Sequence, residues 1–491
     1  MDDPPLTAST RRWRQFKQVR TEGGTDSDAE DMIARLLQRA LPHIPVGTPY
    51  LVSPDFEYDA ELNDFFHSAN MLGSRMSTRV GYASNLAAFL NFLHVNRGGK
   101  NWRDATPEDH EAYFGWRRED PDGPRVGAST WDREVAAVNR YYAWQVARGS
   151  ILENPIPQRQ RRAFRQRAGH LLDGGTAPAT RSHGARRDRL DWLPSSSYRR
   201  WRDIGLRGYR PDGQRDQEFR GRWATRNATF ADMLVRTGLR LAEQASLFTF
   251  ELPAVARASG YHRYFLPASV AKGGSSRWIY IPSSVLRSLH EYVETDRSEA
   301  LERFRDSGGH RIPPDSFILD ADRRHARAVG SGHRIGTNLL TPEERRRTFV
   351  DRGDALEPAL LWLSESGDPM SVSSWKHIFS QANARCARNR VALHASAHTL
   401  RHSFAVITLE HLQRGHIAAL RSLNLDQRGE YVRVFGDPLD WVRRRLGHRS
   451  IETTQIYLHT LADLEMTTRM KLIPDEWEDS SNPVLIAQEN A

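Results

Sequence analysis

The chain has 491 residues, with 70 Lys+Arg against 61 Asp+Glu for a formal charge of +9, and a single cysteine, Cys386. That length exceeds one ordinary core, so two or three domains are expected, and the basic excess favours an anionic partner such as nucleic acid. One cysteine excludes an intrachain disulfide and a cysteine-built zinc site, and no run approaches 18 apolar residues, which points to a soluble, cytoplasmic protein.

Residues 1–54 are polar and mixed, without the apolar core of a signal peptide, and read as a leader or accessory segment. A helix is predicted from Ser77, where Tyr82, Leu86, Phe89, Leu90 and Leu93 recur at helical spacing until Asn96-Arg97-Gly98-Gly99 stops it. Thr106-Pro107-Glu108-Asp109 marks a second helix start, with proline in the first turn and acids after it. A third helix is predicted from about Ser129 to Arg148, with Val135, Val138, Tyr142 and Val146 on one side and Gly149 at its end. Residues 55–157 therefore read as a small all-helical domain.

Residues 158–189 form an arginine-dense connector. Arg159, Arg161, Arg162, Arg165 and Arg167 are candidates for tracking a phosphate backbone, and a solvated linker is the plainer alternative. A larger domain is expected over 190–475. In it, Tyr261–Leu266 and Arg277–Ile281 are β-rich and flank a turn at Gly273-Gly274, which predicts a hairpin. Residues 299–360 are polar, rich in Arg and Gly and weakly periodic, and read as an insertion. Helical pattern is dense from Val372 to Arg469, and 476–491 read as an acidic tail. The fold class expected is mainly α with a small β-hairpin or sheet, that is α+β.

Three places carry candidate chemistry. In Thr237-Gly238-Leu239-Arg240-Leu241-Ala242-Glu243, Gly238 breaks a helix and a second one starts near Arg240, so Arg240 projects from a corner with Glu243 one turn on to hold it. In His398-Thr399-Leu400-Arg401-His402, Leu400, Phe404 and Ile407 mark a buried stripe, and His398 and Arg401 share a turn, a pairing that suits a phosphate. His394, His398 and His402 stand at i+4 steps, yet without the glutamate of an HExxH motif, so no metal is expected. In the third, Asp437 caps a helix, Gly447 ends it and His448 is thrown out beyond. Ser450 caps a further helix, where Ile451 and Leu458 would line the core side with Tyr457 beside them.

In this order T-G-L-R-x-x-E, a lysine in a hairpin turn (Lys272), H-x-L-R-H, L-G-H and a tyrosine nine residues past that histidine resemble the tyrosine recombinases, the phage-integrase-like family. The resemblance extends over roughly 55–475 and implies a helical core-binding domain ahead of a catalytic one. On this chain it implies that Arg240 and Arg401 bind the scissile phosphate and that His448 hydrogen-bonds it as well. His398 would assist proton movement at the nucleophile and Lys272 would protonate the leaving 5′-oxygen. Tyr457 would attack, leaving a 3′-phosphotyrosyl link, and Glu243 would orient its neighbours. The implied partner is double-stranded DNA, bound by a homo-oligomer of two to four copies, with no metal or nucleotide cofactor. A DNA-binding regulator without chemistry and a DNA-relaxing topoisomerase are the competing classes.

Overall fold

The computed structural model describes residues 12–18, 44–45, 47–160, 176–182, 190–254, 260–306, 315–353, 355–421 and 437–470. The chain separates into two compact units, 1–186 and 187–491. Among the described residues no helix is long and apolar enough to cross a membrane.

The first unit is built on helices α1 (Ala60–His67), α2 (Ala69–Leu72), α3 (Met76–Asn96), α4 (Pro107–Arg118) and α5 (Ala128–Arg148). Leu86, Phe89, Leu90 and Leu93 on α3 meet Val135, Val138, Tyr141 and Tyr142 on α5 in one core, as their 3.6-residue spacing requires. Aromatic rings fill much of it, with Phe89 edge-on to Tyr113 and Tyr142. Thr106 and Asp109 close a capping box on α4, and Gly149 ends α5 in the left-handed region at φ 77°. Two features were not legible in the sequence. Strand β1 (Arg14–Lys17) pairs antiparallel with β2 (Pro49–Val52), and the Trp13 amide donates to Asn91 on α3 at 2.8 Å. Part of the arginine-dense stretch also folds back. β3 (Gln158–Gln160) pairs with β4 (Thr176–Pro178), while the Trp131 indole donates to the Thr180 carbonyl at 2.8 Å.

The second unit begins with α6 (Ser195–Gly205), α7 (Ala224–Thr237) and α8 (Leu241–Ala245), then strands β5 (Tyr261–Leu266) and β6 (Arg277–Pro282). β5 and β6 form the expected hairpin, with Tyr264 opposite Ile279 and Leu266 opposite Arg277. Next come α9 (Ser283–Glu294) and α10 (Asp296–Asp306), and later α12 (Val372–Arg388), α13 (Ala397–Arg421), α14 (Pro438–Leu446) and α15 (Glu452–Met470), after a short α11 (Pro342–Arg345). Phe230, Met233 and Leu234 of α7 pack with Trp362 and Trp375 at the centre. Phe230 stacks on Trp375 at 3.5 Å.

Between α10 and α12 the weakly periodic stretch forms a five-stranded sheet. Strands β7 (Phe317–Leu319), β8 (His325–Ala328), β9 (Arg334–Gly336), β10 (Thr348–Asp351) and β11 (Leu356–Pro358) lie in the order β11-β10-β7-β8-β9. Its strands are three or four residues long, too short to show alternation against the arginines around them. Leu319, Ala326 and Leu340 pack it onto Phe248 and Leu360 in a small separate core.

Candidate active site

Helix α7 ends at Gly238, whose φ of 66° is the left-handed conformation that glycine adopts most easily. Arg240 then caps α8 in an extended conformation, with its backbone N–H donating to Glu243 Oε2 at 2.9 Å and its Nη1 to Oε1 at 2.9 Å. A Cβ at position 238 would stand 2.3 Å from the Phe404 ring. Gly238→Ala should therefore cost about 2–5 kcal/mol, summing a left-handed alanine and an overpacked contact. Chemical denaturation measures it, and a loss below 1 kcal/mol would show that the corner is not tightly fixed.

Glu243 is the hub. It is 1 % exposed, and besides Arg240 it accepts from Arg277 Nη2 at 2.6 Å and from the Lys272 backbone N–H at 3.2 Å. Burial alone would push this carboxyl up, but the charge and hydrogen bonds of Arg277, followed by those of Arg240, hold it at about 2. Through the Lys272 amide the carboxylate also anchors the hairpin turn, while the Lys272 side chain itself is exposed.

Arg401, on α13, is 2 % exposed. Its Nη1 donates to the Gly238 carbonyl and its Nη2 to the Leu446 carbonyl at 2.5 Å, tying the α7 corner to the end of α14. Burial, then the neighbouring Arg240, lower it to about 9, so it remains a cation at neutral pH. Helix α13 is buried on more of its circumference than the stripe Leu400-Phe404-Ile407 implied. Arg401, His402, Ser403, Ala405 and Val406 are all buried.

Tyr457 differs from expectation. It is 2 % exposed and Thr454 is buried with it, whereas Ile451, just before α15, is 38 % exposed, and Leu458 packs partly buried against the same core. The phenol oxygen shares a 3.0 Å hydrogen bond with Nδ1 of His402. His398 is exposed and lies against His402 with ring centroids 4.2 Å apart, and His402 is the ring hydrogen-bonded to the phenol. Burial pushes the phenol up, and Arg401 and Arg240 pull it back.

His448 follows Gly447, whose φ is 63° at the end of α14. Its Nδ1 lies 3.0 Å from Thr454 Oγ1, and its ring is near-parallel to Tyr457 at 6.3 Å. Burial, then Arg401, Arg240 and Arg277, depress it to about 3. A histidine held below its unfolded value of about 6.5 contributes stability that is complete above that value and fades as pH falls toward the folded one. His448→Asn should accordingly flatten the fall in Tm between pH 6.5 and 4, and parallel profiles for the two proteins would contradict this.

Arg240, Glu243, Arg401, His448 and Tyr457 are thus gathered around one spot, with Lys272 and His398 at its edge. Two residues of the cluster were missed in the sequence. His402 was in view, four residues from His398 on the same helical face. Arg277 shares the inward face of β6 with Ile279 and Ile281, and an arginine in phase with buried isoleucines was the signal. Among the described residues the cluster holds three guanidiniums, Arg240, Arg277 and Arg401, against the one carboxylate of Glu243, an imbalance that an anionic ligand would offset. Arg159 lies on β3 in the first unit, opposite Ala177. Arg161, Arg162, Arg165 and Arg167 lie outside the described residues.

Residues 72–149 match the family model of the phage integrase N-terminal SAM-like domain. A tyrosine recombinase XerC from Roseiflexus sp. (strain RS-1) is 23% identical over 292 residues, covering 58% of this chain and 77% of that protein. Among solved structures, the XerH site-specific recombinase bound to palindromic difH substrate matches at TM-score 0.44 with 12% identity, covering 81% of each chain. The Tn1549 transposon integrase in complex with a circular intermediate DNA matches at TM-score 0.42 with 13% identity, over 83% of this chain and 98% of the other.

Proposed function

We propose that this chain is a site-specific DNA recombinase of the tyrosine recombinase, phage-integrase-like family, a reading supported by the match of residues 72–149 and by the XerC relative, and that it cuts and rejoins DNA strands through Tyr457 of the same subunit that supplies the arginines. The observation that carries this reading is the burial of the Tyr457 hydroxyl against His402, beside Arg401.

Arg240 and Arg401 bind the non-bridging oxygens of the scissile phosphate and compensate the charge that gathers there in the transition state. Each such fixed donor is worth about 3–4 kcal/mol. The phenol oxygen attacks phosphorus as its proton passes to His402, which His398 backs. The bond from phosphorus to the 5′-oxygen breaks, Lys272 gives that oxygen a proton, and His448 hydrogen-bonds the phosphate. A 3′-phosphotyrosyl link and a free 5′-hydroxyl result. General acid and base together account for about 100- to 10,000-fold. Rejoining reverses the steps with a 5′-hydroxyl as the attacking group, so the bond energy is kept and neither metal nor nucleotide is called for. Glu243 orients Arg240 and Arg277. The helical unit and the arginines at 159, 161, 162, 165 and 167 would grip the duplex as two to four copies assemble on it in the cytoplasm, by phosphate contacts and with steep salt dependence.

Covalent capture tests the proposal. A pool of randomised duplexes, each nicked so that cleavage releases a short fragment and blocks religation, is incubated with the full chain. The expected result is a protein–DNA adduct resistant to denaturant, and pairs of the selected sites then form junctions. Binding without any adduct would identify a regulator, and adducts without junctions a topoisomerase.

A further inference from the structure

The five-stranded sheet between α10 and α12 and its connections carry many arginines, and several of them are already paired. Arg327 and Arg334 pair with Asp320 at 2.9 and 2.7 Å, Arg345 with Glu251 at 2.9 Å and Arg352 with Glu357 at 3.1 Å. Arg323 and Arg324, in the turn from β7 to β8, are exposed and have no carboxylate partner among the described residues. Arg323 also holds a φ of 55°, where glycine would be easier, so the turn keeps a guanidinium at a conformational cost of about 1–2 kcal/mol.

The position of that turn gives the pair a meaning. Thr337, just after β9, donates its N–H to the Arg324 carbonyl at 2.9 Å and its hydroxyl to the Arg323 carbonyl at 3.3 Å. The next residue, Asn338, accepts from the Ser269 hydroxyl at 2.8 Å, and Ser269 stands three positions before Lys272. This end of the sheet is therefore fastened to the segment that presents the hairpin lysine. Counting 3.8 Å per Cα step, the Arg324 backbone is no more than about 25 Å from Lys272. A duplex rises about 3.4 Å per base pair, so that span is about seven pairs.

We propose that the Arg323–Arg324 turn is a DNA-backbone contact, gripping two phosphates of the duplex within about seven base pairs of the cut, on the side of Lys272. The location relative to the cut rests on the recombinase reading above; the contact itself does not. The guanidinium forks meet phosphate oxygens there without reading bases. The sheet thus lengthens the footprint of the second unit.

The test uses the full chain and a 40-base-pair random duplex over 50–200 mM salt. Each phosphate contact contributes about 0.9 to the slope of log affinity against log salt. Arg323→Ala/Arg324→Ala should make that slope shallower by about 1.8, so the wild-type advantage shrinks about tenfold across the range. Arg323→Lys/Arg324→Lys should retain the wild-type slope, which separates lost charge from lost fold. An unchanged slope in the alanine variant overturns the proposal. So does an unchanged slope joined to weaker assembly of copies, because the turn would then meet protein. If the alanine variant loses slope while the wild type forms no covalent adduct, the surface stands and the recombinase reading falls. With Cys386 buried, Arg324→Cys can be labelled with a photo-crosslinker in the captured complex. Crosslinks are expected within about seven base pairs of the cut, and crosslinks only farther away would overturn the placement.

Discussion

Tyr457→Phe is expected to bind DNA as tightly as the wild type and to form no covalent adduct at all. Phenylalanine fills the same volume in a position that is 2 % exposed, so the ring keeps its packing against Leu446 and Val442. What is lost is one hydrogen bond to His402, worth about 0.5–1.5 kcal/mol, and the phenol oxygen proposed as the attacking group. Band-shift affinity and denaturing gels measure the two halves of this prediction separately. A variant that still forms the adduct removes Tyr457 from the chemistry. One that loses binding in proportion to cleavage makes the residue a structural one.

Glu243→Ala should have the largest combined effect on stability and activity. The carboxylate holds Arg240 and Arg277 and the backbone of Lys272, and no other acid is hydrogen-bonded to those two guanidiniums among the described residues. Removing one partner of a buried ion pair costs about 3–5 kcal/mol, because the remaining charges stay buried without compensation. Cleavage should fall by at least about 100-fold as Arg240 loses its fixed direction. Glu243→Gln keeps the shape and should lie between the two. The acid limb of stability carries the same signature. With the carboxyl at about 2 in the folded chain and about 4.5 unfolded, its contribution is complete above 4.5 and is lost as pH falls through 2. The alanine variant should lack that part of the acid transition. Equal stability of variant and wild type at neutral pH would show that the hub is dispensable.

Much of this architecture could be read before any coordinates. Helix punctuation was the most legible feature. Gly149, Gly238 and Gly447 all sit at left-handed helix ends where the sequence placed stops, because few residues other than glycine occupy that conformation cheaply. The hairpin was legible because six-residue strands leave room for alternation, and β7 to β11 were not because three or four residues do not. Proximity was the harder matter. Spacing placed Arg240 beside Glu243, but nothing local states that Arg277, 34 positions on, closes on the same carboxylate. The inward turn of Tyr457 was missed for a related reason. The face of α15 is chosen by α13 and α14 packing against it, and a helix with apolar residues on two sides does not declare which side is core.

The claim on which the account depends is that the phenol oxygen of Tyr457 forms the bond to phosphorus. Captured complexes can be digested with nuclease and protease, and the peptides carrying a nucleotide sequenced by mass spectrometry. The account predicts a single modified site, Tyr457, bearing the 3′-phosphate of the cut strand. A nucleotide attached to any other residue, or linked through a 5′-phosphate, would contradict it.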